Sequence, residues 1–188
     1  MPELNNQNFN HLKIHTQYSI CEGAIKIDNL KDFCKEKKIP CLGISDTSNL
    51  CGALEFAENI SKVGTQPIIG TQIYFRFEDT TGLLPLIALN ENGYKRIIEL
   101  SSRSYLENDA LSDPHLDVKD LLIDTEGVSL LSGTIQGLFG KLFEKGRLDE
   151  ISKLYRSLSS KFNDNFYLEI QRHGDQNEIA FEKFNLEQ

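Results

Sequence analysis

The chain is short of positive charge. Its 188 residues hold 20 Lys and Arg against 28 Asp and Glu, a formal net charge of −8, and its pI is near 5.0. A domain that grips DNA through phosphates carries a basic surface, because Lys and Arg gain affinity by displacing counterions. The acidic balance argues against that role and points to protein partners or to solubility. Long apolar runs are also missing. Nothing approaches the ~20 residues that span a bilayer, and Met1 to Asn10 has no basic-then-apolar leader layout. The four cysteines, Cys21, Cys34, Cys41 and Cys51, include no CxxC pair. Closely spaced zinc ligands are thereby excluded, and the thiols read as small buried hydrophobes in a reducing cytoplasm. There is no linker rich in Gly, Ser or Pro, no low-complexity tract and no internal repeat. A Gly-rich phosphate loop, a Ser-His-Asp set and a basic aromatic patch are absent too.

What is present suits one globular domain: 39% of residues are hydrophobic and 26% charged. Short apolar stretches bounded by turn residues predict strands at Phe9–Ile14, Cys41–Ser45, Pro67–Phe77, Leu83–Leu89, Gly127–Ser132 and Asn165–Ile170. Amphipathic stretches lie between them. Asp28 is placed to cap a helix through Leu30, Phe33 and Cys34, and Asn49 to open one through Ala53, Phe56 and Ile60. Glu91–Asn108 and Arg147–Phe162 read as longer helices, and Asp175 with Glu178 as a capping pair for a last one. Asn108–Asp117 is the most loop-like interior stretch. The alternation predicts an α/β fold with a parallel sheet, either a barrel or a doubly wound sheet. Phe184–Gln188 carries no closing signal, so more chain is expected beyond Gln188.

Three stretches carry a family likeness. They are His-Leu-Lys-Ile-His-Thr-Gln-Tyr-Ser-Ile-Cys-Glu-Gly-Ala (residues 11–24), Leu-Gly-Ile-Ser-Asp-Thr-Ser-Asn-Leu-Cys-Gly-Ala-Leu-Glu-Phe (42–56) and Pro-Ile-Ile-Gly-Thr-Gln-Ile-Tyr (67–74). Weaker agreement continues through Asn90–Tyr94, Leu131-Ser132-Gly133 and Tyr167–Gly174. In order and spacing the set resembles the PHP (polymerase and histidinol phosphatase) domain at the N-terminus of bacterial DNA polymerase III alpha subunits. The resemblance implies a distorted TIM-like (β/α) barrel of about seven strands in the complete domain. It makes residues 1–188 an incomplete PHP domain, truncated at its C-terminus, with polymerase domains to follow beyond 188. In metal-binding members, His, Asp, Glu and Cys at the strand ends hold a metal cluster that activates water for phosphoester hydrolysis.

Departures from that pattern fall on the ligand positions. Where those members have His-x-His, this chain has Lys13 and His15. Glu22 replaces an Asp, Thr47 replaces the His after Asp46, and Gln72 replaces a Glu. Leu83 stands for a His and Thr134 for a Cys. Ammonium, methyl and leucyl groups donate no lone pair to a metal ion. Two unit charges ~4 Å apart repel by about 4 kcal/mol at an effective dielectric of about 20, and a divalent ion doubles that against Lys13. These eight positions therefore read as a vestigial site, with no catalytic residue, no bound metal and no cofactor in the segment. Lys13 is placed to pair with Glu22 or Asp46 in place of the metal. His11 reads as a hydrogen-bonded strand residue, His173 as a structural turn residue and His115 as solvated.

The resemblance implies a parent enzyme, a DNA-directed DNA polymerase of chromosome replication, with magnesium and DNA handled by its later domains. The segment is then an inactive cytoplasmic scaffold that docks the proofreading exonuclease subunit and other holoenzyme subunits. Two rivals stand beside it. One is an active metal-dependent phosphoesterase resembling histidinol phosphatase, and the other is a stand-alone binding module.

Overall fold

A computed structural model of the chain describes residues 9–109 and 111–188. They fall into two compact units that divide between Thr71 and Gln72.

In the first unit, helix α1 (Ile27–Lys37) follows the extended residue Lys26. Asp28 sits in its first turn and Lys35 and Lys37 in its last, the charge order that suits the helix dipole. Lys38 closes it in the left-handed region (φ 52°), returning its N–H to the Cys34 carbonyl. Ile27, Leu30 and Cys34 form one buried stripe. That stripe joins Leu42 and Ile44 of β1 (Cys41–Thr47) and Phe56 and Ile60 of α2 (Ala53–Ser61) in a single core. Each such side chain, fully buried, contributes about 1.5–3 kcal/mol. Strand β2 (Gln66–Phe77) begins in this unit.

In the second unit, Glu78 and Asp79 turn β2 back into β3 (Thr80–Ala88), with Glu78 at φ 53°. Arg147 clamps that turn. Its guanidinium bonds Glu78, Asp79 and Glu150 and lies 5.4 Å from the Phe77 ring centroid. Helix α3 (Glu91–Leu106) starts at Asn90, whose side chain accepts the Gly93 amide at 3.0 Å. Its first turn lies so close to Gly127 that a side chain at Gly93 would drive into the Gly127 carbonyl. Beyond it come β4 (Leu116–Asp117), α4 (Val118–Leu121), β5 (Val128–Leu131), α5 (Leu138–Glu144), α6 (Leu148–Phe162), β6 (Phe166–Tyr167) and α7 (Gln176–Leu186).

The strands form one six-stranded sheet in the order β1-β2-β3-β5-β6, with β4 on β2. The sheet is mixed, not parallel as the alternation implied. β3 meets β5 antiparallel through Leu86 and Leu130, while β2 with β4 and β5 with β6 are parallel. A tight hairpin, with no helix inside it, follows β2, and that connection reverses the chain.

Several local expectations shift. Phe9–Ile14 is not a strand; Ile14 makes one isolated parallel bridge to Ile44. Asn165–Ile170 shrinks to Phe166–Tyr167. Asp28 lies inside α1 and does not cap it. Gly52, not Asn49, precedes α2; Asn49 ties its own turn to Tyr18 and Thr47 carbonyls. Asp175 caps α7 through the Asn177 amide, but Glu178 turns away to His173. Of the cysteines, Cys34 is buried and Cys41 half-buried, whereas Cys21 and Cys51 are exposed.

Candidate functional site

The first unit gathers five of the eight sequence-predicted positions. Asp46, near the end of β1, is 1% exposed. Its Oδ1 accepts the Thr16 amide at 2.6 Å and the Ser19 hydroxyl at 2.7 Å, and its Oδ2 accepts the Thr16 hydroxyl at 2.8 Å. The Ser19 hydroxyl in turn accepts the Thr47 amide at 3.1 Å. A buried carboxylate thus staples the turn over residues 16–23 onto the end of the strand. Gly23 completes that turn, since a side chain there would strike the Thr16 carbonyl oxygen. From below, Thr71 donates to the Asp46 carbonyl at 2.6 Å.

On top of this staple sit the more exposed groups. The Thr47 hydroxyl donates to Glu22 Oε2 at 2.5 Å. His15 Nδ1 lies 3.4 Å from the same oxygen and 3.3 Å from the Ser19 hydroxyl. Lys13 is half-buried on the same stretch. The sequence reading placed its ammonium beside Asp46 or Glu22; the Asp46 oxygens receive amide and hydroxyl donors from Thr16 and Ser19. Nearby, Tyr18 donates to Glu55 at 2.6 Å, and that bond is the first cause holding its phenol above the ordinary range.

The other three positions belong to the second unit. Gln72 is buried on β2. Leu83, near the start of β3, and Thr134, after β5, are brought together because these strands run antiparallel. The Gly133–Gly137 loop packs on the Leu83 carbonyl, and the Thr134 hydroxyl accepts the Gln136 amide at 3.2 Å. Among the described residues, no group of three or more His, Cys, Asp or Glu is arranged to hold a metal ion, and no helix is long and apolar enough to cross a membrane.

The remaining histidines have local partners. The His11 carbonyl accepts the Gly43 amide at 2.6 Å, although His11 lies outside any strand. His115 Nδ1 contacts the Asp113 carbonyl at 2.8 Å in an exposed setting. His173 bonds Glu178 through both ring and amide, in keeping with a structural role. The sequence reading missed Thr16 and Ser19. Their only signal was hydroxyl residues at short spacing after the His15 position.

A mixed α/β domain whose polar residues collect on the turns beyond its strand ends is the class these observations define. The chain belongs to the PHP domain family, whose model matches residues 11–173. It is 37% identical over 191 residues to the DNA polymerase III subunit alpha of Caulobacter vibrioides, covering 97% of this chain and 17% of that protein. The same subunit of Vibrio cholerae is 31% identical, covering 95% of this chain and 16% of its own length. For Thermus aquaticus the identity is 34%, over 88% of this chain and 15% of the relative. The chain therefore spans about a sixth of the relatives it matches. Among solved structures, an amidohydrolase from Chromobacterium violaceum covers 52% of this chain and 33% of its own at a TM-score of 0.43 and 14% identity, a shallow likeness.

Proposed function

We propose that this chain is the N-terminal PHP segment of a replicative DNA polymerase III alpha subunit, and that the segment is a scaffold without hydrolytic activity. The observation that carries the first part is the likeness to that subunit along 97% of the chain. On this reading the complete domain is a distorted barrel of about seven strands. The parent enzyme extends DNA primers in the cytoplasm with magnesium held in later domains.

The donor set supports the second part. A metal cluster needs several carboxylate and imidazole lone pairs aimed at one point. Here Asp46 spends its oxygens on Thr16 and Ser19, and Glu22 accepts the Thr47 hydroxyl. Gln72, Leu83 and Thr134 supply an amide, a hydrocarbon and a hydroxyl. These residues do not fit a cluster, so no hydrolytic step is assigned to them.

A folded, acidic domain without chemistry of its own works through protein contact, and the proofreading exonuclease subunit is the partner we assign. The test is to measure binding of that exonuclease to the full-length polymerase with and without residues 1–188. Weakened binding on deletion, in a protein that still extends primers, supports the role. Unchanged affinity defeats it.

A further inference from the structure

In the second unit, α7 turns only Phe181 and Asn185 fully inward, while Ile179 and Leu186 stay exposed. An asparagine on the inward stripe of a helix calls for polar partners. The Asn185 Oδ1 has one, accepting the Tyr155 hydroxyl at 3.0 Å in a buried pair. Its Nδ2 is buried and has no protein acceptor. Turning the amide over would pair Nδ2 with the Tyr155 oxygen and strand Oδ1 instead, so one amide atom needs a partner in either orientation.

Asn185 also lines a cavity of about 10 Å³, with Glu169, Gln171, Glu178, Phe181 and Glu182 among its walls. That is the size that admits one water molecule. The lining restricts what can enter. The Glu169, Glu178 and Glu182 carboxylates disfavour an anion. A cation would face the Asn185 amide donor, and each carboxylate already has a protein partner: Gln171 for Glu169, His173 for Glu178 and Arg172 for Glu182. A small neutral group that both accepts and donates satisfies every wall.

We propose that Asn185 and this cavity form an internal hydration site, in which a single water accepts from the Asn185 amide and donates to the neighbouring oxygens. The water adds to the attachment of α7, whose other fastenings include the Phe143–Phe181 and Phe143–Phe184 ring contacts and the pairs Arg172–Glu182, His173–Glu178 and Tyr155–Asn185. Because the amide donor is 97% buried with its residue, losing the water would leave it unpaired in the interior, and the site should exchange slowly with solvent.

The test is a crystal structure of the protein at a resolution where ordered waters are resolved, with an NMR water-to-amide cross-peak measured in solution. A single density peak within hydrogen-bonding reach of the Asn185 amide, and a cross-peak from a long-lived water to it, are the expected results. Asn185→Leu, which fills the space, should remove the density peak. An empty cavity beside an unmoved Asn185 overturns the proposal, as does an amide that has swung onto a protein acceptor. Should Asn185→Leu fail to fold, the wild-type density and cross-peak decide the matter alone.

Discussion

Thr16 holds Asp46 twice, through its amide at 2.6 Å to Oδ1 and through its hydroxyl at 2.8 Å to Oδ2. Thirty residues separate the pair in the chain, and the bond closes the turn that carries Ser19, Glu22 and Gly23 onto the end of β1. Asp46 is thus an organising carboxylate. Asp46→Ala would strand one buried amide and two hydroxyls, and should cost about 2–3 kcal/mol, the usual penalty for unmade buried hydrogen bonds. Urea denaturation checks it, and a midpoint equal to the parent's would remove the staple from the account.

The α3 cap is the second expectation. Asn90 accepts the Gly93 amide at 3.0 Å, and loss of such a cap costs about 1 kcal/mol. Asn90→Ala should lower stability by that amount, and Asn90→Asp should restore most of it because the acceptor returns. If both variants fall equally, the interaction that matters is another one at this position.

Legibility followed burial geometry. Helices α1, α3 and α6 were visible because each buries one stripe: Ile151, Leu154, Tyr155 and Leu158 in α6 recur at helical spacing. Helix α5 was not. Leu138, Phe139, Gly140 and Leu142 are all buried, so no polar face marks its period. Strand β4 spans two residues at the end of the stretch read as a loop, Asn108–Asp117, while β6 was expected but as the longer Asn165–Ile170. At the site, the sequence marked Asp46, Glu22 and Thr47 as neighbours through the family resemblance. The donors that occupy Asp46 were invisible, because Thr16 and Ser19 reach it only after the turn has folded. Residue type alone does not distinguish a carboxylate that binds metal from one that binds hydroxyls.

A pH dependence follows from the turn before α7. The Glu178 carboxyl is held below the usual carboxylate range, first by the His173 ring and then by the His173 amide. A depressed carboxyl contributes order above its unfolded value of about 4.3 and loses that contribution as pH falls through its lower folded value. Exchange protection at the His173 amide should therefore persist down to the ordinary carboxyl range and be lost only as pH falls below it. Glu178→Gln should show weaker protection with no such acid step. A step that survives in Glu178→Gln would assign the titration to a different group.

The final expectation concerns metal content. A divalent ion in the first unit would have to draw Asp46 away from the Thr16 amide and two hydroxyls, and Glu22 away from Thr47, before gaining any carboxylate. It would do so with a lysine, Lys13, and a threonine, Thr47, at positions where metal-binding members of the family carry imidazoles. Each exchange breaks a made hydrogen bond and the ammonium adds repulsion, so the losses accumulate while the number of ligands stays small. The protein, purified and mildly dialysed, should hold zinc, manganese and iron well below one equivalent by elemental analysis. Thr47→His alone should not change that, because one restored imidazole leaves Asp46 stapled and Lys13 in place. One tightly held equivalent in the parent protein, released by a chelator with a fall in thermal stability, would show that these donors assemble a site after all and would return hydrolysis to consideration.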